Sequence, residues 1–218
     1  MELKIKDPGS ALTHFIAMLT AMVAATPLLI KAASVPGTMH LKALSVFIVS
    51  MILLYAASTV YHTFDISEHV NKILRKIDHM MIFILIAGTY TPVCLIVLGN
   101  KSGYRMLSLV WGIAIVGIII NALWINCPKW FSSVIYIAMG WVCIMAIRQI
   151  VAALTPAAFT WLLAGGIIYT IGGVIYALKL PIFNSKHKNT GSHEIFHLFV
   201  MGGSFCHYMM MYGYVAAA

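Results

Sequence analysis

The chain has 218 residues, 61% of them hydrophobic and 9% charged, with a mean hydropathy of +0.94. A water-soluble domain of this size has too little interior to hide so much apolar side chain, so the composition excludes one and indicates a polytopic membrane protein. The net charge of +8 would suggest nucleic acid in a soluble protein. Here Lys and Arg fall between apolar runs, as topology determinants and headgroup contacts, and no nucleic-acid partner is expected.

Seven apolar runs follow in order, at about 11–30, 42–62, 78–98, 104–125, 132–153, 158–179 and 193–215. Each is near the ~20 residues that a bilayer requires of a helix. The first charges (Glu2, Lys4, Lys6, Asp7) are mixed and the first run is too long for the core of a secretory signal, so it is read as a retained span. The longest connections, about 63–77 and 180–192, are too short for a soluble domain. The expectation is all-α: one domain over 1–218, a bundle of seven transmembrane helices. Pro92 and Gly172-Gly173 mark kinks or close packing. Cys94, Cys127, Cys143 and Cys206 form no CxxC pair and are read as inert thiols.

Basic residues set the orientation. With the N-terminus inside, the inner side collects nine: Lys4, Lys6, Lys72, Arg75, Lys76, Lys129, Lys179, Lys186 and Lys188. The outer side keeps five: Lys31, Lys42, Lys101, Arg105 and Arg148. The bias favours an N-terminus in the cytoplasm and, with seven spans, a C-terminus outside.

That topology brings polar residues to one depth. Span two ends in Ser58-Thr59-Val60-Tyr61-His62, span three starts at Ile77-Asp78-His79, and span seven starts with His193-Glu194-Ile195-Phe196-His197. All lie at the cytoplasmic membrane level. His193 and His197, four apart, share one helix face, a spacing that suits two imidazoles on one metal ion. With His62 they make three zinc ligands, leaving a fourth position for water, the arrangement of catalytic zinc. Of six carboxylates, only Asp78 and Glu194 fall at helix starts on this level. Asp78 is read as the group that accepts the water's proton or orients it, and Ser58, one turn deeper than His62, as a donor to that water or to a developing oxyanion.

Each residue has a plainer alternative. His62 alone reads as an interfacial histidine, Asp78 as a helix cap, and Ser58 as a packing serine bonded to its own backbone. The string His193-Glu194-x-x-His197 also matches the HExxH of zinc proteases, with Glu194 as base and Asp78 or His62 as the further ligand. His207 lies ten residues beyond His197, about 15 Å along a helix, too far for the same ion. It is read as a buried, hydrogen-bonded histidine or part of a polar relay. His14 and His79 could approach the inner site, but nothing else in the sequence supports either. His40, His69 and His187 read as loop residues.

Taken together, Ala57-Ser58-Thr59-Val60-Tyr61-His62, Ile77-Asp78-His79, Ala87-Gly88-Thr89-Tyr90-Thr91-Pro92, Ala138-Met139-Gly140-Trp141, His193-x-x-x-His197 and Gly202-Gly203-Ser204-x-Cys206-His207 resemble the bacterial hemolysin III family. That family stands with the progestin and adipoQ receptors, among them the adiponectin receptors. The resemblance covers essentially the whole chain. It implies seven helices, N-terminus in and C-terminus out, in a bacterial cell membrane, with zinc near the cytoplasmic leaflet. The family pattern falls on Ser58, His62, Asp78, His193 and His197: three histidines for zinc and the aspartate for a bound water. Glu194 lies outside that pattern, which weakens the protease reading. The wider superfamily includes alkaline ceramidases, so the first expectation is zinc-dependent hydrolysis of a membrane-lipid amide or ester. The others are a non-catalytic, zinc-stabilised regulator of membrane state, and the cytolysis of the family's name. Uniformly apolar spans argue against a pore. Hormone reception is not carried over, because these residues include no long soluble region.

Overall fold

The computed structural model describes residues 5–124, 129–178 and 192–218, and among these all regular structure is helical. We number the α-helices in chain order: α1 (Pro8–Ala33), α2 (Met39–Thr63), α3 (Glu68–Pro92), α4 (Lys101–Leu123), α5 (Lys129–Gly140), α6 (Ile147–Ala153), α7 (Pro156–Leu178) and α8 (Ser192–Met210). Helix α3 runs on through a π turn (Val93–Leu98), a 3-10 stretch (Trp141–Ala146) joins α5 to α6, and α8 continues into a π turn (Met211–Val215).

Six of these rods are long and apolar enough to cross a membrane: α1, α2, α3 with its π turn, α4, Trp130–Ala153 and α7. Helix α8 carries His193, Glu194, His197 and His207 in 19 residues, and these polar groups dilute its apolar character.

Neighbours in sequence pack side by side from α1 to α4, α5 lies against α7, and α8 closes the bundle between α7 and α1. Helix α3 is the innermost: 61% of its most apolar window is buried, against 22% for α1. Its buried residues share one apolar core with Phe47, Leu54 and Tyr55 of α2 and Met210 of α8. The outer faces remain apolar, as on α1 with Leu12, Ile16, Leu19 and Val23. Such a surface is stable in lipid and not in water.

The sequence expectation places Asp78 at the start of span three and residues 63–77 in a loop; the structure corrects both. Helix α3 begins at Glu68, where Ser67 accepts a hydrogen bond from the Val70 amide. Lys72 pairs with Glu68 one turn on, at 2.6 Å. Asp78 therefore sits ten residues inside the helix, buried among its neighbours. Hydropathy marked only the apolar part of this helix, while the cap and the i,i+4 pair extend it through charged residues. Residues 179–191, which take in all but the last residue of the expected connection 180–192 and include Lys179, Lys186, His187 and Lys188, lie outside the described residues, as does Cys127.

Glycines set the approach of α7 to α8 and to α5. A Cβ on Gly172 would lie 2.6 Å from Phe199 Cβ, and one on Gly173 would press on Ile137 at 3.3 Å, so this pair serves close packing. Cys94 and Cys206 are buried free thiols and Cys143 is a half-buried one. Trp111 Nε1 donates to Thr91 Oγ1 and Trp141 Nε1 to Thr170 Oγ1, so both indoles pack inside the bundle.

Gly172→Ala is expected to lower the melting temperature of the purified protein, by about 1–3 kcal/mol of overpacking. Gly112→Ala, on an exposed helix face with nothing within 4 Å of the new Cβ, is the control. Equal melting curves for the two variants would refute this account of the α7–α8 contact.

Candidate metal centre

The start of α1, the end of α2 and the start of α8 meet at one end of the bundle. The chain before α1 is held by backbone bonds to the end of α2: the Asp7 amide donates to the His62 carbonyl at 2.9 Å and the Lys6 amide to the Thr63 carbonyl at 3.3 Å. Lys6 Nζ also lies 3.8 Å above the Tyr61 ring, within cation–π range. These contacts place the Asp7 carboxylate. Instead of capping α1, it accepts a hydrogen bond from His62 Nδ1 at 2.9 Å.

That bond decides which nitrogen of His62 faces inward. A carboxylate accepts, so Nδ1 carries the proton and Nε2 presents its lone pair. Nε2 points at His193 Nε2, 3.0 Å away. His197, one turn along α8, completes a trio whose ligand nitrogens all lie within 4.8 Å of one another. Their ring centroids are 4.6 to 5.1 Å apart. Two ligands on a tetrahedral zinc stand about 3.3 Å apart for Zn–N bonds of 2.0–2.1 Å, so this cluster closes on an ion with small side-chain shifts. His197 Nδ1 is buried without a hydrogen-bond partner, as is Ser58 Oγ. Three imidazoles whose ligand nitrogens converge, one of them oriented by a carboxylate, make a fitting donor set for a metal ion.

A cavity of about 20 Å³ adjoins the trio, walled by Ser58, Asp78, His79, His14, His193 and His197 among others. It has room for about one water-sized group. The Asp78 carboxylate is buried there with its Oδ2 3.5 Å from His79 Nδ1. His79 is held in turn, with Nδ1 2.7 Å from the Arg75 carbonyl and Nε2 3.3 Å from the Tyr176 hydroxyl. All five residues expected from the sequence, Ser58, His62, Asp78, His193 and His197, therefore lie at one site. Asp78 reaches that level from within α3 and not from its first residue.

Two residues were missed or undervalued. Asp7, which the sequence reading treats only as one of the mixed charges ahead of the first span, directs His62. Its signal was the Asp7-Pro8 pair, which starts a helix and so fixes a carboxylate at a helix end. His14 is 3% exposed and stacks on His197, with centroids 3.6 Å apart and planes 8° from parallel. Its depth in span one could have shown it, two turns in from the same membrane face as His62. Glu194 accepts a hydrogen bond from Ser10 Oγ at 3.1 Å, fastening α8 to α1. That is a structural use of the residue that a protease reading requires as base.

A second, larger cavity of about 130 Å³ adjoins the first across Leu54, Ile82, Phe196 and Val200, which line both. It runs along α8 to His207 and its lining is mostly apolar.

Residues 3–208 match the model of a family described as Haemolysin-III related. The chain is 36% identical over 199 residues to the hemolysin-3 homolog of Bacillus subtilis (strain 168), covering 91% of this chain and 89% of that one. It is 37% identical over 199 residues to hemolysin-3 of Bacillus cereus, covering 91% and 87%. More distantly, it is 26% identical over 180 residues to the adiponectin receptor protein of Drosophila melanogaster, covering 74% of this chain and 40% of the receptor. With its apolar helices and a histidine trio at one end of the bundle, this multi-pass membrane protein belongs to the haemolysin-III related family.

Proposed function

We propose that the chain is a zinc-dependent hydrolase of a membrane-lipid amide or ester. It would cross a bacterial cell membrane seven times, with α8 as the seventh span, N-terminus inside and C-terminus outside. The observation that carries the reading is the adjacency of two cavities: a small one walled by histidines, a carboxylate and a serine, and a larger, mostly apolar one that shares four of its wall residues. The first has the groups for hydrolysis, and the second has the shape and lining for an acyl chain. A zinc ion held by His62, His193 and His197 would supply Lewis acidity toward a carbonyl oxygen and toward water.

The chain's own residues divide the remaining work. Hydrolysis adds the oxygen of water to the carbonyl carbon and breaks the C–N or C–O bond. Asp78 takes the proton from the water and returns it to the departing amine or alkoxide. Ser58 Oγ, unpartnered in the same wall, donates to the oxygen that becomes negative. Asp7 holds His62 in the tautomer that offers Nε2. The apolar cavity orients the acyl chain and keeps bulk water from the site.

A second reading has support in the latch itself. Glu194–Ser10 and Asp7–His62 already fasten α1 to α8 and α2, and a metal at the trio would strengthen this clamp with no chemistry. The clamp would make the protein a non-catalytic regulator whose stability depends on the ion.

Elemental analysis of the purified protein is expected to find about one zinc per chain, sharply reduced in His62→Ala, His193→Ala and His197→Ala. A metal-free wild type, or a histidine variant that keeps its zinc, would refute the ligand set. Asp7→Asn, which loses the anionic acceptor, should weaken zinc affinity about 10- to 100-fold, read by competition with a chelator. In a liposome assay with a long-chain N-acyl amide or ester, Asp78→Asn should keep its zinc and lose about 100-fold or more in turnover. Wild type that binds zinc and turns over no such lipid, while chelation lowers its melting temperature, would leave the clamp in its place.

A further inference from the structure

The long cavity ends on a histidine that the hydrolytic site does not use. His207 of α8 is 7% exposed and lines the cavity at the end away from the trio. Ten residues separate it from His197, about 15 Å of helix. Helix α7 is shaped to admit it: a Cβ on Gly165 would collide with the ring at Cδ2 and Nε2. The ring also meets Tyr169 edge-on, with centroids 5.3 Å apart.

Its hydrogen bonding is half complete. Nε2 lies 3.3 Å from the Leu162 carbonyl, which can only accept, so Nε2 carries the proton and Nδ1 is left with a lone pair. Nδ1 is buried without a partner. Other polar side chains of the wall have spent their donors within the protein. Thr89 donates to the Leu85 carbonyl, Tyr90 to Gly140, Trp141 to Thr170, Thr170 to Gly166 and Tyr136 to His79. Tyr169 and Tyr55 both share the Ser204 hydroxyl, one turn before His207. Among the described residues lining this cavity, His207 Nδ1 is the buried side-chain nitrogen or oxygen with no partner.

We propose that His207 Nδ1 is the acceptor for a hydroxyl on the ligand's acyl chain, remote from its headgroup, so that the cavity selects hydroxylated over plain acyl chains. The proposal rests on the lipid reading of this cavity. An unsubstituted chain leaves Nδ1 desolvated and unpaired, whereas a hydroxyl at the right carbon satisfies it. A ketone or a carboxylate has no proton to give and gains nothing. The preference is thus for a donor at one position, and not for polarity in general.

The test is equilibrium binding of palmitic acid, and of monohydroxypalmitic acids with the hydroxyl moved stepwise along the chain, to the full chain in nanodiscs. One isomer, hydroxylated well beyond the carboxyl end, is expected to bind about tenfold more tightly than palmitic acid, and its keto counterpart no more tightly. In His207→Leu the preference should vanish while palmitic acid still binds. His207→Gln, whose side-chain oxygen can accept, should keep part of it and guards against a folding defect in the leucine variant. Equal binding of all isomers to wild type, an equal gain from the keto acid, or a preference that survives His207→Leu each overturns the proposal, leaving the lipid reading of the cavity intact. Failure of every acid to bind overturns both.

Discussion

A single hydrogen bond, from His62 Nδ1 to the Asp7 carboxylate, determines much of what this end of the bundle can do. It fixes the tautomer of a buried imidazole and turns Nε2 toward His193. It also binds the start of α1 to the end of α2, so that the Lys6 and Asp7 amides and the Lys6–Tyr61 contact fall into register. In an apolar bundle no water replaces a lost partner, so a buried polar group must find one in the protein or hold a ligand. The cluster around His62 follows that rule through Asp7 and His193. Among the atoms that break it are Ser58 Oγ, His197 Nδ1 and both ring nitrogens of His14, all beside the trio.

The two cavities express the same rule at different polarity. Near the histidines, carboxylate, hydroxyl and imidazole groups crowd a space the size of one small molecule. Farther along α8 the walls turn apolar, and their polar groups are folded back onto backbone carbonyls or one another. Leu54, Ile82, Phe196 and Val200 form the shared partition. A molecule with one reactive polar end and a long apolar remainder matches this sequence of environments better than a wholly polar or a compact apolar one.

Much of this was legible in the chain because membranes impose a strong code. Apolar runs located the helices, the basic residues suggested their sense, and together those two readings brought Ser58, His62, Asp78, His193 and His197 to one depth. The code failed where local chemistry overrode hydropathy. Ser67 and the Glu68–Lys72 pair carry α3 through charged residues that no apolar window would include. Asp7 escaped notice because its role depends on the approach of a residue 55 positions away. His14 could be placed near the inner site by its depth, but its stacking on His197 leaves no trace in spacing along the chain. The cavities were illegible for a similar reason, since a void is the absence of side chains contributed by five separate helices.

The ligand trio is divided between α2 and α8, helices separated by most of the chain. A ribosome delivers His62 to the membrane long before His193 and His197 leave the exit tunnel, and helices of membrane proteins insert before they pack. The site is therefore a seam closed by the last helix to arrive. Until α8 docks between α1 and α7, His62 has a carboxylate on one side and nothing on the other. An unfinished molecule offers no histidine trio, so the geometry that could hold an ion exists only once assembly is complete.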